Sequence, residues 1–447
     1  MTLLYKPIYW SYRATGGMWY RARRRLTRAG WAVVVMLMVT AMIGSDMENT
    51  VTYQTFALLL ALMLLSFKCS LWFRGKFSAT RRLPRLGTVG QPLPYQIEVT
   101  NLTAHTQAGL TLLENIEDPR PSYRDWLGFQ RAEGRRVRPF RMSQRRSRNP
   151  FRLATVKEAE IPPMLPQGMA EARGEILPLR RGILRFQGVT VARPDPLGLF
   201  RSFIRVTSAQ SVLILPKRYP LPPIALPGSL RYQEGGVALA AHVGSSEEFV
   251  ALRDYRHGDP LRHIHWRSWA KTGKPIVKEY EDEFFVRHAL VLDTFDEEPN
   301  SVVLEEAVSV AASFACTILT QESLLDLLFV GNQSYCFTAG RGVGSSDQML
   351  EVLAAVKHCP DKKFEELERL VMNHVSTVSG CICIFQRWDG ARRKFIQKLK
   401  EINVPLLVLI IVPPGGGISG AGGPMTDAPG TLHVLEAGKI EEGLRAL

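Results

Sequence analysis

Two long apolar runs near the start of the chain are its strongest hydrophobic signal. Neither run contains a charged residue, and each approaches the length that crosses a bilayer. Neither shows the polar face at helical spacing that a helix buried in a globular domain would carry. The pattern therefore predicts a transmembrane hairpin over residues 29–76, with helices at about 29–45 and 49–73.

The charges around these runs predict their orientation. Basic residues cluster in residues 1–28 and again after the second run, whereas the short connector carries only Asp46 and Glu48. Because Lys and Arg favour the cytoplasmic side of a membrane, both ends of the chain are expected in the cytoplasm. A cleaved signal peptide is the alternative for the first run, but residues 42–45 make a poor cleavage site and a second apolar run follows at once.

Residues 77–216 show a different pattern, in which apolar and polar positions alternate. Tyr95, Ile97 and Val99 are separated by polar residues, and this period of two is typical of strands with one buried face. The predicted fold of this domain is a small β-sandwich. An Arg-rich stretch at 119–152 is predicted to be a solvated loop within it.

The last part of the chain alternates strand and helix patterns. Residues 217–243 are rich in Pro and Gly and are expected to form a linker. Beyond residue 288, short apolar strands are separated by helical patterns, which favours a mainly parallel sheet covered by helices. The strands are predicted at 289–293, 324–330, 380–385 and 405–412, and the helices at 304–318, 347–358, 363–374 and 391–402.

The net charge of +14 suggests a nucleic-acid partner until its location is considered. Residues 1–85 hold thirteen Lys or Arg and two acids, and residues 119–152 hold eleven Arg and two acids. The rest of the chain is mildly acidic, so the excess lies at the membrane flanks and in the Arg-rich loop, where anionic lipid headgroups are the expected partner. Nucleic acid is the alternative partner of the loop, but the loop lacks the dense aromatic residues on which bases stack.

Six cysteines are scattered without a CxxC pair, which fits a reducing compartment. Cys381 and Cys383 share one face of a predicted strand, where two thiolates could begin a metal site. Their neighbours are apolar and no second pair is nearby, so buried core thiols are the favoured interpretation.

Residues 244–287 carry the densest chemistry of the chain. Arg, Asp, His and Trp crowd there around a Gly-Asp-Pro turn. Taken alone, these residues could support general acid–base catalysis, with Asp254 or Asp259 orienting His265. A metal-dependent hydrolase built on Asp259, His263 and His265 is the enzymatic alternative, although no Ser or Cys nucleophile with a base accompanies these residues.

A structural network is the more economical interpretation of the same segment. In such a network Arg253 and Arg262 bind carboxylates in bidentate fashion and fix a domain junction. The histidines are then hydrogen-bonded rather than metal-bound, since the sequence places no fourth ligand. The residues assigned a structural or partner-binding role are Arg253, Asp254, Tyr255, Gly258, Asp259, Arg262, His265, Trp266 and Lys271.

This segment resembles the signature of a bacterial family called domain of unknown function 58. The order of hairpin, β-domain, signature and α/β domain is similar as well. The resemblance implies that the last domain, residues 288–447, has a von Willebrand factor A-like α/β fold. The motifs that carry the resemblance are Phe249, Arg253-Asp254-Tyr255, Gly258-Asp259, Arg262 and Ile264-His265-Trp266, followed by Ala270 and by Lys271 where Arg is usual.

Domains of that fold that bind a divalent ion end their first strand in Asp-x-Ser-x-Ser. This chain has Asp293 at the corresponding position, but Phe295 and Glu297 replace the two hydroxyl residues. The resemblance therefore implies a degraded metal site, and no cofactor is expected. If Mg²⁺ does bind, the candidate ligands are Asp293, Asp296 and Asp389.

The expected function is that of a membrane-anchored, non-enzymatic binding or assembly protein. The family resemblance implies a MoxR-type AAA+ ATPase as its cytoplasmic partner, in a chaperone-like system that acts on other proteins. An interaction fold and the lack of an assembled catalytic set motivate this expectation. The expected location is the plasma membrane of a bacterium, which the chain would cross more than once.

Overall fold

The chain folds into two compact units, each with its own core. The first comprises residues 1–218 with 296–301 and 350–358, and the second comprises the remainder. The architecture is multidomain and mixes helices with sheets, as the sequence predicts. The computed structural model describes residues 2–43, 50–117, 120–123, 126–128, 152–222, 249–257, 259, 261–280, 286–296, 301–318, 323–340, 344–417, 423–425 and 429–447.

Three helices open the first unit. They are α1 (Thr2–Arg25), α2 (Arg28–Ile43) and α3 (Thr50–Ser70), and α2 packs against α3. Among the described residues, Val51–Ser70 form one helix that is long and apolar enough to cross a membrane, judged by length and composition. Helix α2 is apolar but has 16 residues, fewer than a bilayer usually requires. Membrane association is therefore supported by one helix, and the predicted pair of spans is not confirmed.

In the described part of residues 77–216, nine strands form two sheets around one core. The four-stranded sheet has the order β1-β3-β7-β5 and the five-stranded sheet the order β2-β9-β8-β4-β6. Tyr95, Ile97 and Val99 point into the core, so the period of two marks the buried face of β3. The strands are β1 (Phe77–Arg82), β2 (Leu86–Thr88), β3 (Leu93–Asn101), β4 (Leu110–Ile116), β5 (Ala154–Val156), β6 (Ala159–Ile161), β7 (Met169–Pro178), β8 (Gly182–Pro194) and β9 (Arg201–Leu215).

A buried ion pair joins these two sheets. Arg81 of β1 donates two hydrogen bonds to the carboxylate of Glu114 of β4, at 2.6 and 3.1 Å. The guanidinium also lies over the ring of Phe186, 4.5 Å from its centre. Burial raises the pKa of Glu114, and the hydrogen bonds and charge of Arg81 oppose that rise. The pair satisfies two polar groups that the core would otherwise penalise.

The second unit is built on a six-stranded sheet with the order β14-β13-β12-β15-β16-β17. Neighbouring strands are parallel except β13 and β14, which are antiparallel. The strands are β12 (Val286–Leu292), β13 (Ser323–Val330), β14 (Ser334–Ala339), β15 (Gly380–Phe385), β16 (Leu406–Val412) and β17 (Leu432–Glu436). The α-helices described after residue 300 are α5 (Val302–Ile318), α6 (Ser346–Ala355), whose residues from 350 on belong to the first unit, α7 (Phe364–His374), α8 (Gly390–Glu401) and α9 (Ile440–Arg445).

The order of this sheet creates a topological switch point. From β12 the chain first adds β13 on one side and later adds β15 on the other. The connections leave the carboxyl ends of β12 and β15 in opposite directions, which opens a crevice where α/β proteins commonly bind ligands. Residues 129–151 and 223–248, which contain most of the predicted Arg-rich loop and of the predicted linker, lie outside the described residues.

Candidate functional site

The signature segment folds around a two-stranded hairpin. Strand β10 (Phe249–Asp254) pairs antiparallel with β11 (Ile276–Tyr280), and Arg253 lies opposite Val277. The residues between the strands return to this ladder, because Ile264 bridges to Val277 and the backbone N–H of His265 donates to the carbonyl of Ile276 at 2.8 Å. Ile264 and Val277 are both buried. These apolar residues hold the polar loop in one conformation.

A bidentate ion pair closes the loop that follows β10. The two Nη atoms of Arg253 donate to the two carboxylate oxygens of Asp259, at 2.7 and 2.8 Å. The backbone N–H of Arg256 donates to the same carboxylate at 2.8 Å. The hydrogen bonds from Arg253 are the main reason that the pKa of Asp259 is lowered to about 2. The bidentate contact predicted for Arg253 is therefore present, and Asp259 stays ionised at neutral pH.

The histidine that sequence reasoning offered as a base has a local partner instead. Nδ1 of His265 lies 2.6 Å from Oγ of Ser268, within the first turn of α4 (Trp266–Thr272). Within the described part of the chain, no hydrogen bond joins Asp254 or Asp259 to His265. The predicted acid–base pairing is absent there, and the loop is held by hydrogen bonds of a structural kind.

Helix α4 presents two tryptophans on one face. The rings of Trp266 and Trp269 stack with centroids 5.2 Å apart and an interplanar angle of 17°. Trp266 is 63% exposed, and Lys271 is exposed on the same short helix. Gly273 ends the helix in the left-handed conformation at φ 72°. The indole of Trp266 is thus exposed next to the exposed cations Arg267 and Lys271 of the same helix.

The other predicted signature residues are placed as follows. Asp254 is exposed, and Tyr255 is half-buried with its backbone N–H donating to the carbonyl of Pro275 at 3.0 Å. Arg262 lies in a 3₁₀ turn, Leu261–His263, but its side chain lies outside the described part of the structure. Gly258 is also outside the described residues. The carboxylate predicted to pair with Arg262 therefore stays untested.

A second site lies at the switch point of the second unit. Asp293 follows β12 directly and is fully buried. Its carboxylate accepts hydrogen bonds from Nε and Nη2 of Arg392 at 3.1 and 3.0 Å, and from the backbone N–H of Phe295 at 3.0 Å. Nη1 of Arg392 reaches Asp389 at 2.5 Å. One guanidinium thus binds two carboxylates at the edge of the sheet.

Several further contacts hold that guanidinium in place. It lies 4.5 Å from the ring centre of Phe364, and Asp389 accepts the backbone N–H of Arg392 as the N-cap of α8. Burial raises the pKa of Asp293, and the charge of Arg392 opposes that rise. Oε1 of Gln386 and Nε1 of Trp388 are buried beside the carboxyl end of β15 without a hydrogen-bond partner among the described residues.

These contacts bear on the predicted metal ligands. Asp293 and Asp389 are brought together, but Arg392 occupies the position between them. Phe295, which stands where the Asp-x-Ser-x-Ser pattern has its first hydroxyl, packs edge-on against Phe364, and the next residue, Asp296, is half-buried. Mg²⁺ requires free oxygen ligands in octahedral array, so the residues as arranged do not fit that ion. Across the described residues, no group of three His, Cys, Asp or Glu side chains could hold a metal.

Sequence reasoning missed Arg392. The signal was present, because a carboxylate at the end of a buried strand requires a counter-charge, and Arg392 stands three residues after the helix-capping Asp389. A residue in the first turn of a helix at the carboxyl edge of a parallel sheet is well placed to supply that charge. The pattern of strands alone could not identify which of several arginines would turn inward.

Comparison with known proteins identifies the class to which this segment belongs. Residues 251–378 match the family described as protein of unknown function DUF58. The matched segment begins in the β10–β11 hairpin and ends just before β15. The match assigns this segment of the chain, and not its other parts, to the DUF58 family.

A relative found in the comparison is the uncharacterized protein YeaD of Bacillus subtilis (strain 168). It is 27% identical over 189 residues, which cover 41% of this chain and 45% of that protein. The match spans less than half of the relative.

Two solved structures resemble part of the chain at 9% identity. A CARDB domain from Pyrococcus furiosus covers 31% of this chain and 93% of its own length with a TM-score of 0.16. A cohesin module from a Clostridium perfringens family 33 glycoside hydrolase covers 32% of this chain and 98% of its own length with a TM-score of 0.14. At these scores the likenesses carry no argument.

Proposed function

We propose that this protein is a membrane-anchored, non-enzymatic binding protein that recruits a cytoplasmic partner. The observation that carries the proposal is the signature hairpin, whose Arg253–Asp259 ion pair fixes a loop beside an exposed tryptophan. The side chains of Arg253, Asp259 and His265 are engaged in local hydrogen bonds that hold its conformation. What the loop leaves open is Trp266 with Arg267 and Lys271, a combination typical of binding surfaces.

The proposal includes a membrane hairpin of α2 and α3 with both flanks in the cytoplasm of a bacterium. The basic residues on both sides and the acids in the connector support this orientation. A 16-residue helix can contribute to a span when flanking residues extend to the interface, and α2 packs against the longer α3. Anchoring of this kind would hold the rest of the chain at the inner surface.

The proposal also assigns a von Willebrand factor A-like fold to the last domain. The mainly parallel sheet and the acidic residue after its first strand are consistent with that fold. Family resemblance suggests a MoxR-type AAA+ ATPase as the partner. Arg256, Arg267 and Lys274 are exposed cations of the same signature segment, and they would complement an acidic surface on such a partner.

Capture of partners from detergent-solubilised membranes tests the proposal. The full chain should retain a MoxR-type ATPase, and Trp266→Ala should weaken that binding about tenfold or more, as expected for an exposed aromatic anchor. Met169→Ala is the control, because Met169 is a large apolar residue that is 74% exposed but lies on β7 of the first unit. The proposal fails if no AAA+ ATPase is retained, or if Trp266→Ala and Met169→Ala behave alike.

A further inference from the structure

Helix α1 is long, strongly basic and rich in aromatic residues. It spans 24 residues and contains six Lys or Arg and no acid. It is also rich in tyrosine and tryptophan, with Trp10, Trp19 and Tyr20 all more than half exposed. Cations combined with exposed aromatic rings are characteristic of helices that lie in a membrane interface.

One side of α1 is attached to the β-domain of the first unit. Tyr9 is 6% exposed, its hydroxyl donates to the carbonyl of Pro121 at 3.0 Å, and its ring lies 5.6 Å from that of Trp126. Near the other end, Arg24 donates to the side-chain oxygen of Asn115 at 2.9 Å. The helix is therefore fixed at two points, and these contacts define which side faces the protein.

The opposite side of α1 is an uncharged stripe. Its members recur at intervals of three and four residues, which places them on one face of a helix. Around the helix axis, Met18 points about 180° away from the buried Tyr9. Met18 is 71% exposed, Ile8 is 52% exposed and the neighbouring Trp19 is 61% exposed. The stripe consists of Ile8, Ser11, Thr15, Met18 and Ala22.

The end of α1 leads directly into the apolar helices. Leu26 forms a backbone bridge with Phe200, and the backbone N–H of Thr27 donates to the carbonyl of Leu199 at 3.0 Å. Helix α2 begins at the next residue, and Trp31 in its first turn lies 5.2 Å from the ring of Trp19. The stripe is thus continuous with the segment proposed to enter the bilayer, which favours lipid over a soluble protein as its occupant.

We propose that α1 is an interfacial helix whose uncharged stripe rests in the anionic inner leaflet while its arginines bind lipid headgroups. The inference rests on the membrane anchoring of the proposed function. Six cations without an acid complement a negatively charged surface, and the aromatic rings suit the boundary between headgroups and acyl chains. The β-domain attached to Tyr9 would then be held against the membrane surface.

Spin-label accessibility in bilayers tests this placement. The full chain, with Cys69, Cys316 and Cys336 replaced by serine, is reconstituted in phosphatidylglycerol–phosphatidylethanolamine bilayers and labelled at Met18→Cys or, as control, at Lys6→Cys. The label at position 18 should collide preferentially with oxygen, at a depth of about 5–10 Å, and the label at position 6 with an aqueous nickel complex. Equal aqueous accessibility at both positions would overturn the inference.

Two further measurements separate the possible outcomes. Replacing the anionic lipid by phosphatidylcholine, or replacing Arg21 and Arg23 by glutamine, should make the label at position 18 shallower. A label that becomes buried only when cytoplasmic proteins are added would instead assign the stripe to a protein and refute the lipid placement. Resistance to carbonate extraction is measured on the same samples, because its loss would contradict the membrane anchor itself.

Discussion

Arg392 supplies the counter-charge for the buried carboxylate of Asp293 at the carboxyl end of β12. It neutralises Asp293 in a site with no access to water and also ties β12 to the start of α8. Two opposite charges in such a site stabilise one another, but either one alone is strongly disfavoured. The structural role of the pair therefore appears most clearly when one partner is removed.

Arg392→Met should lower the free energy of unfolding by about 3–5 kcal/mol, because it leaves a buried carboxylate without a counter-charge. Adding Asp293→Asn to that variant should recover part of the loss, since the remaining group is neutral. Denaturant unfolding of the full chain in detergent measures both effects. A double variant as unstable as the sum of the single variants would contradict coupling between the two residues.

Asp259 offers a direct electrostatic measurement. Its pKa is lowered from 3.8 to about 2, chiefly by hydrogen bonds from Arg253. Above pH 3.8 the ion pair therefore contributes to the stability of the folded β10–β11 hairpin. This stabilisation is lost as the pH falls toward 2, where Asp259 becomes protonated. Arg253→Gln should return the pKa of Asp259 toward its ordinary value, as measured by NMR titration of the carboxyl carbon. An unchanged pKa would show that Arg253 is not the cause.

Glycine at position 174 makes room for a buried aromatic ring between strands. A Cβ atom there would lie 2.2 Å from a ring carbon of Tyr95, which is 5% exposed in the core of the β-domain. Strands β3 and β7 pair at this point, and Tyr95 is opposite Gly174 in the register. The close approach of ring and backbone is part of how this sheet packs.

Gly174→Ala should destabilise the protein by about 1–3 kcal/mol, because the ring of Tyr95 must leave its position in a filled core. Gly16→Ala in α1 is the control, since a Cβ atom there meets nothing within 4 Å and alanine favours a helix. Thermal unfolding of both variants in detergent provides the comparison. Equal melting temperatures would contradict the steric account.

The elements of the second sheet show what apolar patterns can predict. The strand predicted at 380–385 is present as β15 with the same bounds, because all six residues are buried between helices and form one apolar run. Strand β14 was missed, since its exposed polar residues lie at an antiparallel edge and give no such run. Helix α1 was missed because its Tyr9 packs on a distant loop, a contact that local periodicity cannot reveal.

The candidate sites were predictable to a different degree. The Arg253–Asp259 contact follows from two opposite charges close together in a dense polar segment, so its chemistry was visible in the sequence. The partner of Asp293 was not, because Arg392 is 99 positions away and the fold alone brings the two together. The exposure of Trp266 also depends on the fold, since nothing in its neighbours distinguishes a surface indole from a core one.

The chain combines an apolar helix with a second unit that has an exposed cysteine, Cys336, whose labelling can report on which side of a membrane that unit lies. Cys336 is exposed, whereas Cys381 and Cys383 are buried with raised pKa values. Although Cys336 is accessible, neighbouring atoms partly desolvate its thiol and the charge of Asp326 lies nearby, and together they raise the pKa of that thiol to about 11, so little thiolate exists at neutral pH. Modification of Cys336 should therefore be slow but site-specific.

With Cys69 and Cys316 replaced by serine, a membrane-impermeant maleimide should label Cys336 in inverted membrane vesicles but not in intact spheroplasts, as expected for a cytoplasmic second unit. The labelling rate should increase as the pH is raised toward 11. Cys336→Ser should abolish the signal. Labelling in spheroplasts would place the second unit outside the cell and contradict the proposed orientation.

The guanidinium of Arg392 lies where a metal ion could otherwise bind, and this limits how the site can be regulated. A metal ion exchanges with solvent, so a contact that uses one can be switched by chelation or by a change in ion supply. A side chain is present at fixed stoichiometry for the lifetime of the chain. The buried carboxylate of Asp293 therefore has a counter-charge that chelation cannot remove. If the chain recruits a partner as proposed, the timing of that engagement would have to originate outside this site.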